Sequence, residues 1–395
     1  FGKVVTVKTP SAIRKISQCT HFPICGGCHY QDINYDDQLK LKTAVLTDSI
    51  QRYLPEALDH ISPIIGCKET KFHRNKMEFA FGYDNDKLIC GLKKHGTFDN
   101  IISIDDCKLL SPISNKILTQ TTTFFSNHQI PLWNSYKETG CLSHLMMRHS
   151  KAFDHYVISI VAAKSNPSFN DYATIIMEQF PAIQGVNLLL FTQKKGQPSS
   201  TECVPLKGKT VLQEKINDLT FNISPQSFFQ TNSCQVGTLY ETVKTCCNLS
   251  ESDTLLDLYC GTGTIGLYVC HKKSHLIGID EIPQAIDNAK ENAALNNVKN
   301  TTFITGRVKN ILKFNTFSPD CIVIDPPRSG MVPKALQRVI DIRCSTIVYV
   351  SCNPITLLRD LKEFLNQGYH IDRFIPVDMF PHSYHLECVV KLKIN

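Results

Sequence analysis

From about residue 223 onward, apolar β-branched runs alternate with helical stretches, and this restricts the fold more tightly than any other feature of the chain. TLLDLY precedes TIGLYVC, HLIGID precedes PQAIDNAKENAALNN, CIVID precedes PKALQRVI, and TIVYV precedes TLLRDLKEFLNQ. Strands written as near-continuous apolar runs are covered on both faces, and strand–helix alternation builds a parallel sheet. The pattern predicts an α/β fold with a doubly wound, mostly parallel sheet over residues 223–395. Upstream the texture differs. Short strands such as KMEFAFGY, HYVISIVAA and VNLLLFTQ, punctuated by Gly, Asn and Pro, predict a mixed α+β central domain over residues 19–222. Residues 35–53 have helical spacing, with Leu39, Ala44, Leu46 and Ile50 near one face. Residues 1–18 read as the end of a small β-unit, in which Lys3 to Lys8 alternate around Val4, Val5 and Val7.

Composition narrows the partners. No apolar run reaches the roughly 18 residues of a membrane helix, and no secretory pattern opens the chain, so no membrane role is expected. The chain begins at Phe1, which reads as a trimmed start. The net charge of +6 permits a nucleic-acid partner, and Lys3, Lys8, Arg14 and Lys15 stand without an acid in residues 1–18. Seventeen cysteines, an odd number scattered along the chain, argue for a reducing cytoplasm and against a disulfide scaffold. Cys246, Cys247, Cys270, Cys321 and Cys344 sit among apolar residues and read as small buried hydrophobes.

Three motifs follow predicted strands, at the edge where open α/β sheets bind ligands. The first is the glycine loop Gly261-Thr262-Gly263-Thr264-Ile265-Gly266, with Asp280 ending the next strand. Such a loop lets backbone approach a ligand at a helix N-terminus, and the acid suits ribose hydroxyls. The spacing alone fits a nicotinamide or flavin dinucleotide and S-adenosylmethionine equally. The second motif, Asp325-Pro326-Pro327-Arg328, holds a carboxylate on stiff backbone beside that ligand, and a dehydrogenase has no use for it. The third, Val350-Ser351-Cys352-Asn353-Pro354, presents a cysteine at a strand terminus, where it can be open to substrate.

A thiolate beside a methyl donor suits one reaction well. C5 of uracil is too poor a nucleophile to attack a sulfonium methyl, but C6 is the β-carbon of an enone. A soft thiolate adds at C6 and makes C5 an enolate that takes the methyl, after which a base removes the C5 proton. Glu387, ahead of the strand Val389 to Leu392, is the first choice for that base and His385 the second. Gln230, in Ser224-Pro225-Gln226-Ser227-Phe228-Phe229-Gln230-Thr231-Asn232, suits the donor or the uracil edge.

Cys19, Cys25 and Cys28, the last two bracketing Gly26 and Gly27, place three thiols within ten residues, and Cys107 is the best fourth. Four thiolates suit an iron–sulfur cluster and zinc about equally. The C-x5-CGGC spacing is not the C-x3-C-x2-C of radical S-adenosylmethionine enzymes.

Taken together, the C-x5-CGGC cluster with Tyr30-Gln31, His73-Arg74-Asn75-Lys76, SPQSFFQTN, DLYCGTGTIGL, IDPPRSG, VSCNP and FPHSYHLE resemble the RNA uracil-5-methyltransferase family, especially the branch acting on 23S ribosomal RNA. The resemblance spans nearly the whole chain. It implies a Rossmann-like class I methyltransferase fold, with Cys352 as nucleophile and Glu387 as base. It implies S-adenosylmethionine contacts from Gln230, Tyr259, Gly261, Thr264, Asp280, Arg307 and Asp325. Thr264 stands where relatives often carry Asn, and Arg307 where some carry an amide. It implies a [4Fe–4S] cluster on Cys19, Cys25, Cys28 and Cys107, which breaks the tie with zinc. The tRNA-acting branch usually lacks that cluster, so 23S ribosomal RNA is the expected partner. The family often begins with a β-barrel RNA-binding TRAM domain, and residues 1–18 look like its last strand only. The family also implies that helix 35–53 packs back on the catalytic domain. The expected enzyme is a cytoplasmic monomer. Two rivals are a nicotinamide oxidoreductase and a non-enzymatic iron–sulfur RNA-binding or ribosome-assembly factor.

Overall fold

The structure is a computed structural model and describes residues 5–394 except 98, 195 and 196. Two seven-stranded sheets dominate it. The first comprises β1 (Lys76–Asp84), β2 (Lys87–Lys93), β3 (Ile101–Ser103), β4 (Leu142–His149), β5 (Tyr156–Ala162), β6 (Ile183–Lys194) and β7 (Gln197–Gly208), in the order β3-β2-β1-β4-β5-β6-β7. Its pairs are antiparallel except β5 with β6. A hairpin, β8 (Leu212–Ile216) and β9 (Leu219–Ile223), follows.

The second sheet comprises β10 (Thr254–Leu258), β11 (His275–Asp280), β12 (Thr301–Thr305), β13 (Cys321–Ile324), β14 (Thr346–Ser351), β15 (His370–Val377) and β16 (Glu387–Lys393). Its order is β12-β11-β10-β13-β14-β16-β15, with the first five strands parallel and β16 antiparallel to both neighbours. The strand order reverses between β10 and β13, which is where such sheets open a ligand crevice. Buried β-branched residues fill these strands because helices cover both faces.

α1 (Tyr35–Tyr53) buries Gln38, Lys42, Leu46 and Ile50. Leu46 and Ile50 pack into the core of the second sheet, whereas Ala44 is exposed and Leu39 half-buried. The buried face therefore carries two polar residues that apolar periodicity passes over. α2 (Pro112–His128) and α3 (Ser168–Gln179) lie in stretches that read as strand-rich. In α2 the threonines lower helix propensity, but Thr119, Thr121, Thr122 and Thr123 each turn the hydroxyl onto the carbonyl four residues back. Packing of Ile117, Leu118 and Phe125 against the first sheet outweighs the propensity.

The strand expected over Lys3 to Lys8 falls partly on residues 1–4, outside the described residues, and residues 5–8 carry no strand. Arg14 forms an isolated bridge with Ile33 instead. No helix among the described residues is long and apolar enough to cross a membrane. Cys246, Cys247, Cys321 and Cys344 are buried and Cys270 is half-buried, all as free thiols.

The second sheet is preceded by α4 (Ser233–Cys247) and interleaved with α5 (Thr264–Val269), α6 (Pro283–Leu295), α7 (Val308–Phe314), α8 (Pro333–Asp341) and α9 (Pro354–Asn366). α9 begins sharply because Asn353 caps it, its side chain accepting from the Ile355 N–H at 3.2 Å, and Pro354 stands at its first position.

Candidate active site

A cleft of about 760 Å³ opens at the carboxyl edge of the second sheet. Successive loops supply its walls: Tyr259 and Gly261 after β10, Asp280 to Ile282 after β11, Arg307 to Lys309 after β12, Asp325 to Gly330 after β13, and Cys352 after β14. Glu387, first residue of β16, closes the far side, and Phe228, Gln230 and Thr231 form a rim. Cys352, Glu387, Gln230, Tyr259, Gly261, Asp280, Arg307 and Asp325 thus share one cleft. Thr264 does not line it. The Thr264 side chain is buried against Tyr240, hydroxyl to hydroxyl at 2.8 Å.

Local backbone explains the placement. Tyr259, Gly261 and Gly263 have φ of 62°, 52° and 76°, a left-handed run that turns the chain from strand to helix. A Cβ on Gly261 would meet nothing within 4 Å, whereas one on Gly266 would lie 2.6 Å from Leu276 and 2.7 Å from Asp257. Gly261 therefore keeps backbone bare toward the cleft, and Gly266 lets α5 lie against the sheet. Asp280 accepts from the Gly261 N–H at 3.0 Å and the Ile282 N–H at 2.9 Å, which locks its carboxylate while leaving lone pairs for a hydroxyl.

The Asp325 and Cys352 loops are tied together. Asn353 Nδ2 and the Thr356 hydroxyl both donate to the Arg328 carbonyl, at 3.0 and 3.2 Å. The segment before α4 is held from the other sheet: Asn75 donates to the Gln230 carbonyl at 2.8 Å, and Arg148 donates to the carbonyls of Pro225 and Ser227.

Charge is concentrated and poorly solvated here. Burial pushes the Asp325 carboxyl up to about 7. Glu387 is raised well above the usual range by burial and then by Asp325, with Arg328 opposing. Burial also raises the Cys352 thiol, as does Glu387, whereas a hydrogen bond and the charge of Arg328 lower it. Arg328, quoted in the sequence only as part of a motif, is thus the cation that favours the charged form of both the thiol and the carboxyl. Its position directly after Asp-Pro-Pro was the available signal. Arg328 also donates to the His385 ring, 3.1 Å from Nδ1, and burial with this cation lowers His385 to about 4. His385 lies off the cleft, in an adjoining hollow with His29, Arg74 and Lys76.

Asp257, beneath the glycine loop, is raised to about 8 by burial, then by Asp325, against a hydrogen bond from the Gly266 N–H. An acid whose folded value lies above its unfolded one stabilises the fold below the unfolded value and loses that contribution as pH rises through the folded one. Asp257→Asn keeps an oxygen for Gly266 and removes the titration. The variant should melt at a higher temperature than the parent at about pH 8.5 and show a smaller gain near pH 5. Thermal scans at the two pH values check this, and a parent–variant gap that does not widen with pH refutes it.

Cys19, Cys25, Cys28 and Cys107 line one small apolar cavity with Phe22, Leu92, Ile104 and Leu109. The Gly27 N–H donates to Cys25 Sγ at 3.3 Å, and Gln31 Nε2 to Cys28 Sγ at 3.6 Å. Burial pushes Cys28 up to about 12 and raises Cys25 and Cys107, with neighbouring thiols adding to the effect. Arg74 is the nearby cation that opposes this at Cys28 and Cys107. Among the described residues no group of three or more His, Cys, Asp or Glu is arranged to hold a metal ion. The cavity between the four thiols is about 20 Å³, room for little more than one water. The donor set, four thiols with N–H donors and one cation, fits an anionic thiolate-bound cluster.

Comparison with known proteins agrees with the cleft. The model of the family described as tRNA (Uracil-5-)-methyltransferase matches residues 34–395. An uncharacterized RNA methyltransferase of Clostridium tetani is 36% identical over 99% of this chain and 87% of its own length. One from Caldanaerobacter subterraneus subsp. tengcongensis is 34% identical over 98% and 87%. The crystal structure of Pyrococcus abyssi tRNA (uracil-54, C5)-methyltransferase in complex with S-adenosyl-L-homocysteine superposes with a TM-score of 0.76 at 28% identity, over 94% of this chain and 86% of that one. The second sheet is accordingly a class I S-adenosylmethionine methyltransferase fold.

Proposed function

Because the chain belongs to the RNA uracil-5-methyltransferase family and is an RNA methyltransferase using S-adenosylmethionine, we propose that it methylates C5 of a uridine in 23S ribosomal RNA through a Cys352 adduct. The observation carrying this reading is the meeting of a half-exposed cysteine and a buried glutamate in one cleft with the glycine loop. The Cys352 thiolate adds to C6, and the C5–C6 double bond supplies the pair that C5 uses to take the methyl from the sulfonium, releasing S-adenosylhomocysteine. Glu387 then takes the C5 proton, the C5–C6 double bond re-forms, and the C6–S bond breaks to return the thiolate. Arg328 holds the thiolate and the ionised Glu387. Asp280, Gly261, Tyr259, Gln230, Arg307 and Asp325 hold the donor. The target base must leave its stack to reach C6.

A [4Fe–4S] cluster on Cys19, Cys25, Cys28 and Cys107 belongs to this reading. It would supply a structural brace, since methyl transfer moves no electrons. The cysteines, free throughout the described residues, suit a reducing cytoplasm. A tRNA substrate is the second reading, favoured by the activity of the Pyrococcus relative. Nucleoside mass spectrometry of 23S ribosomal RNA and tRNA from cells lacking the protein decides between them. Loss of a 5-methyluridine from 23S RNA is expected, and loss confined to tRNA overturns the ribosomal assignment.

A further inference from the structure

The segment bearing Glu387 has no helix or strand of its own between Val377 and Glu387, yet it is held at almost every residue. Asp378 accepts from Lys42 Nζ at 2.6 Å and from the Tyr35 hydroxyl at 2.7 Å, and Lys42 also donates to the Phe380 carbonyl at 2.9 Å. Next comes His382, a non-glycine residue at φ 65°. Such a conformation costs about 1–2 kcal/mol and persists only where surroundings over-determine it. They do so here. The His382 N–H donates to Gln38 Oε1 at 2.9 Å, and Gln38 Nε2 lies 3.1 Å from His382 Nδ1. The same amide nitrogen donates to the carbonyls of Tyr30 and Ile33. The His382 carbonyl accepts from the N–H groups of His29 and Tyr30, at 2.7 and 3.0 Å.

Those last two donors directly follow Cys28. A second line of contact starts at the same place. The His29 ring lies 4.6 Å from that of Tyr384, Tyr384 lies 4.3 Å from His385, and His385 accepts from Arg328, whose charge lowers the Cys352 thiol. The cysteine loop therefore touches the base-bearing segment at His382 and the nucleophile's cation through Tyr384 and His385.

Resting on the reading of Glu387 as base, we infer that Gln38 and the cysteine loop through His29 and Tyr30 are a clamp that positions Glu387 for C5 proton removal. Gln38 is a positioning residue: it touches neither substrate nor donor. Its effect falls on the step Glu387 performs, after the methyl has moved.

The test uses full-length protein and RNA carrying tritium at uridine C5. Gln38→Met keeps the side-chain length and removes the hydrogen bonds. Q38M should release tritium at least about 10-fold more slowly, in the range lost when a general base is misplaced. The methylated protein–RNA adduct should rise above the parent level, affinity for S-adenosylhomocysteine should be unchanged, and amides 382–386 should exchange faster with solvent. A merely structural role would lower adduct formation and tritium release together, and that result overturns the clamp, as does parental release and exchange. If Q38M does not fold, Gln38→Glu, which keeps an oxygen for the His382 N–H and loses the Nε2 donor to Tyr30 and Ile33, carries the same measurements. Parent protein that makes no adduct and no 5-methyluridine sinks the C5 reading and the clamp together. Parent turnover with an unaltered Q38M sinks the clamp alone.

Discussion

Cys352→Ala is expected to abolish methyl transfer to uridine, by on the order of 10⁴-fold or more, the scale on which a covalent nucleophile is lost. The side chain lines the donor cleft, half-exposed, at the N-terminal side of the Asn353 cap of α9. The helix end and Arg328 favour its thiolate, against burial and the neighbouring carboxyls. Alanine leaves these neighbours in place, so S-adenosylhomocysteine should bind as before. No RNA adduct should survive denaturation, and isothermal titration with denaturing gels reads both. Full turnover by the alanine variant would end the cysteine mechanism. For the parent, turnover should climb as pH rises from about 6 to 9, because thiol and glutamate both have to lose protons from raised values.

Glu387→Gln should have an effect of similar size but opposite appearance. The amide cannot take the C5 proton, so the methylated adduct has no exit, and turnover should fall about 10²–10⁴-fold. Adduct formation should not slow, since the ionised glutamate raises the Cys352 thiol and its removal favours the thiolate. Removing one of two mutually repelling carboxyls also relieves Asp325, so the cleft should hold its shape. A protein–RNA band accumulating on a denaturing gel, with the methyl already on the base, is the expected observation. A variant that turns over at the parental rate, or forms no adduct while still binding the donor, would move the base role elsewhere.

Much of this site is local in sequence, and the reasons are physical. A doubly wound sheet delivers every strand end to one edge. Glycine, Asp-Pro-Pro and Ser-Cys-Asn-Pro motifs written after apolar runs therefore meet there whatever the rest of the chain does. Gly261, Asp280, Asp325 and Cys352, singled out in this way, share the cleft with Gln230, Glu387, Tyr259 and Arg307, the last two expected only from the family resemblance. Thr264 shows the limit. Its backbone stands in the glycine loop, but Tyr240, on a different helix, takes the hydroxyl. α2 shows another, since its threonine run reads against a helix and only packing on the first sheet selects one.

What the chain's order determined by itself was the alternation of strand and helix, and the loops on which cysteine, carboxylates and glycines sit, because these follow from periodicity and neighbouring residues. Only the tertiary structure decided how those loops are held: Gln38 against His382, 344 positions away, Lys42 against Asp378, and Arg328 between Cys352 and His385. Polar side chains on a buried helix face carry no periodic signal, and their partners come within reach only once two distant segments have packed. Burial then does what no sequence motif records, raising two carboxyls and a thiol in one cleft.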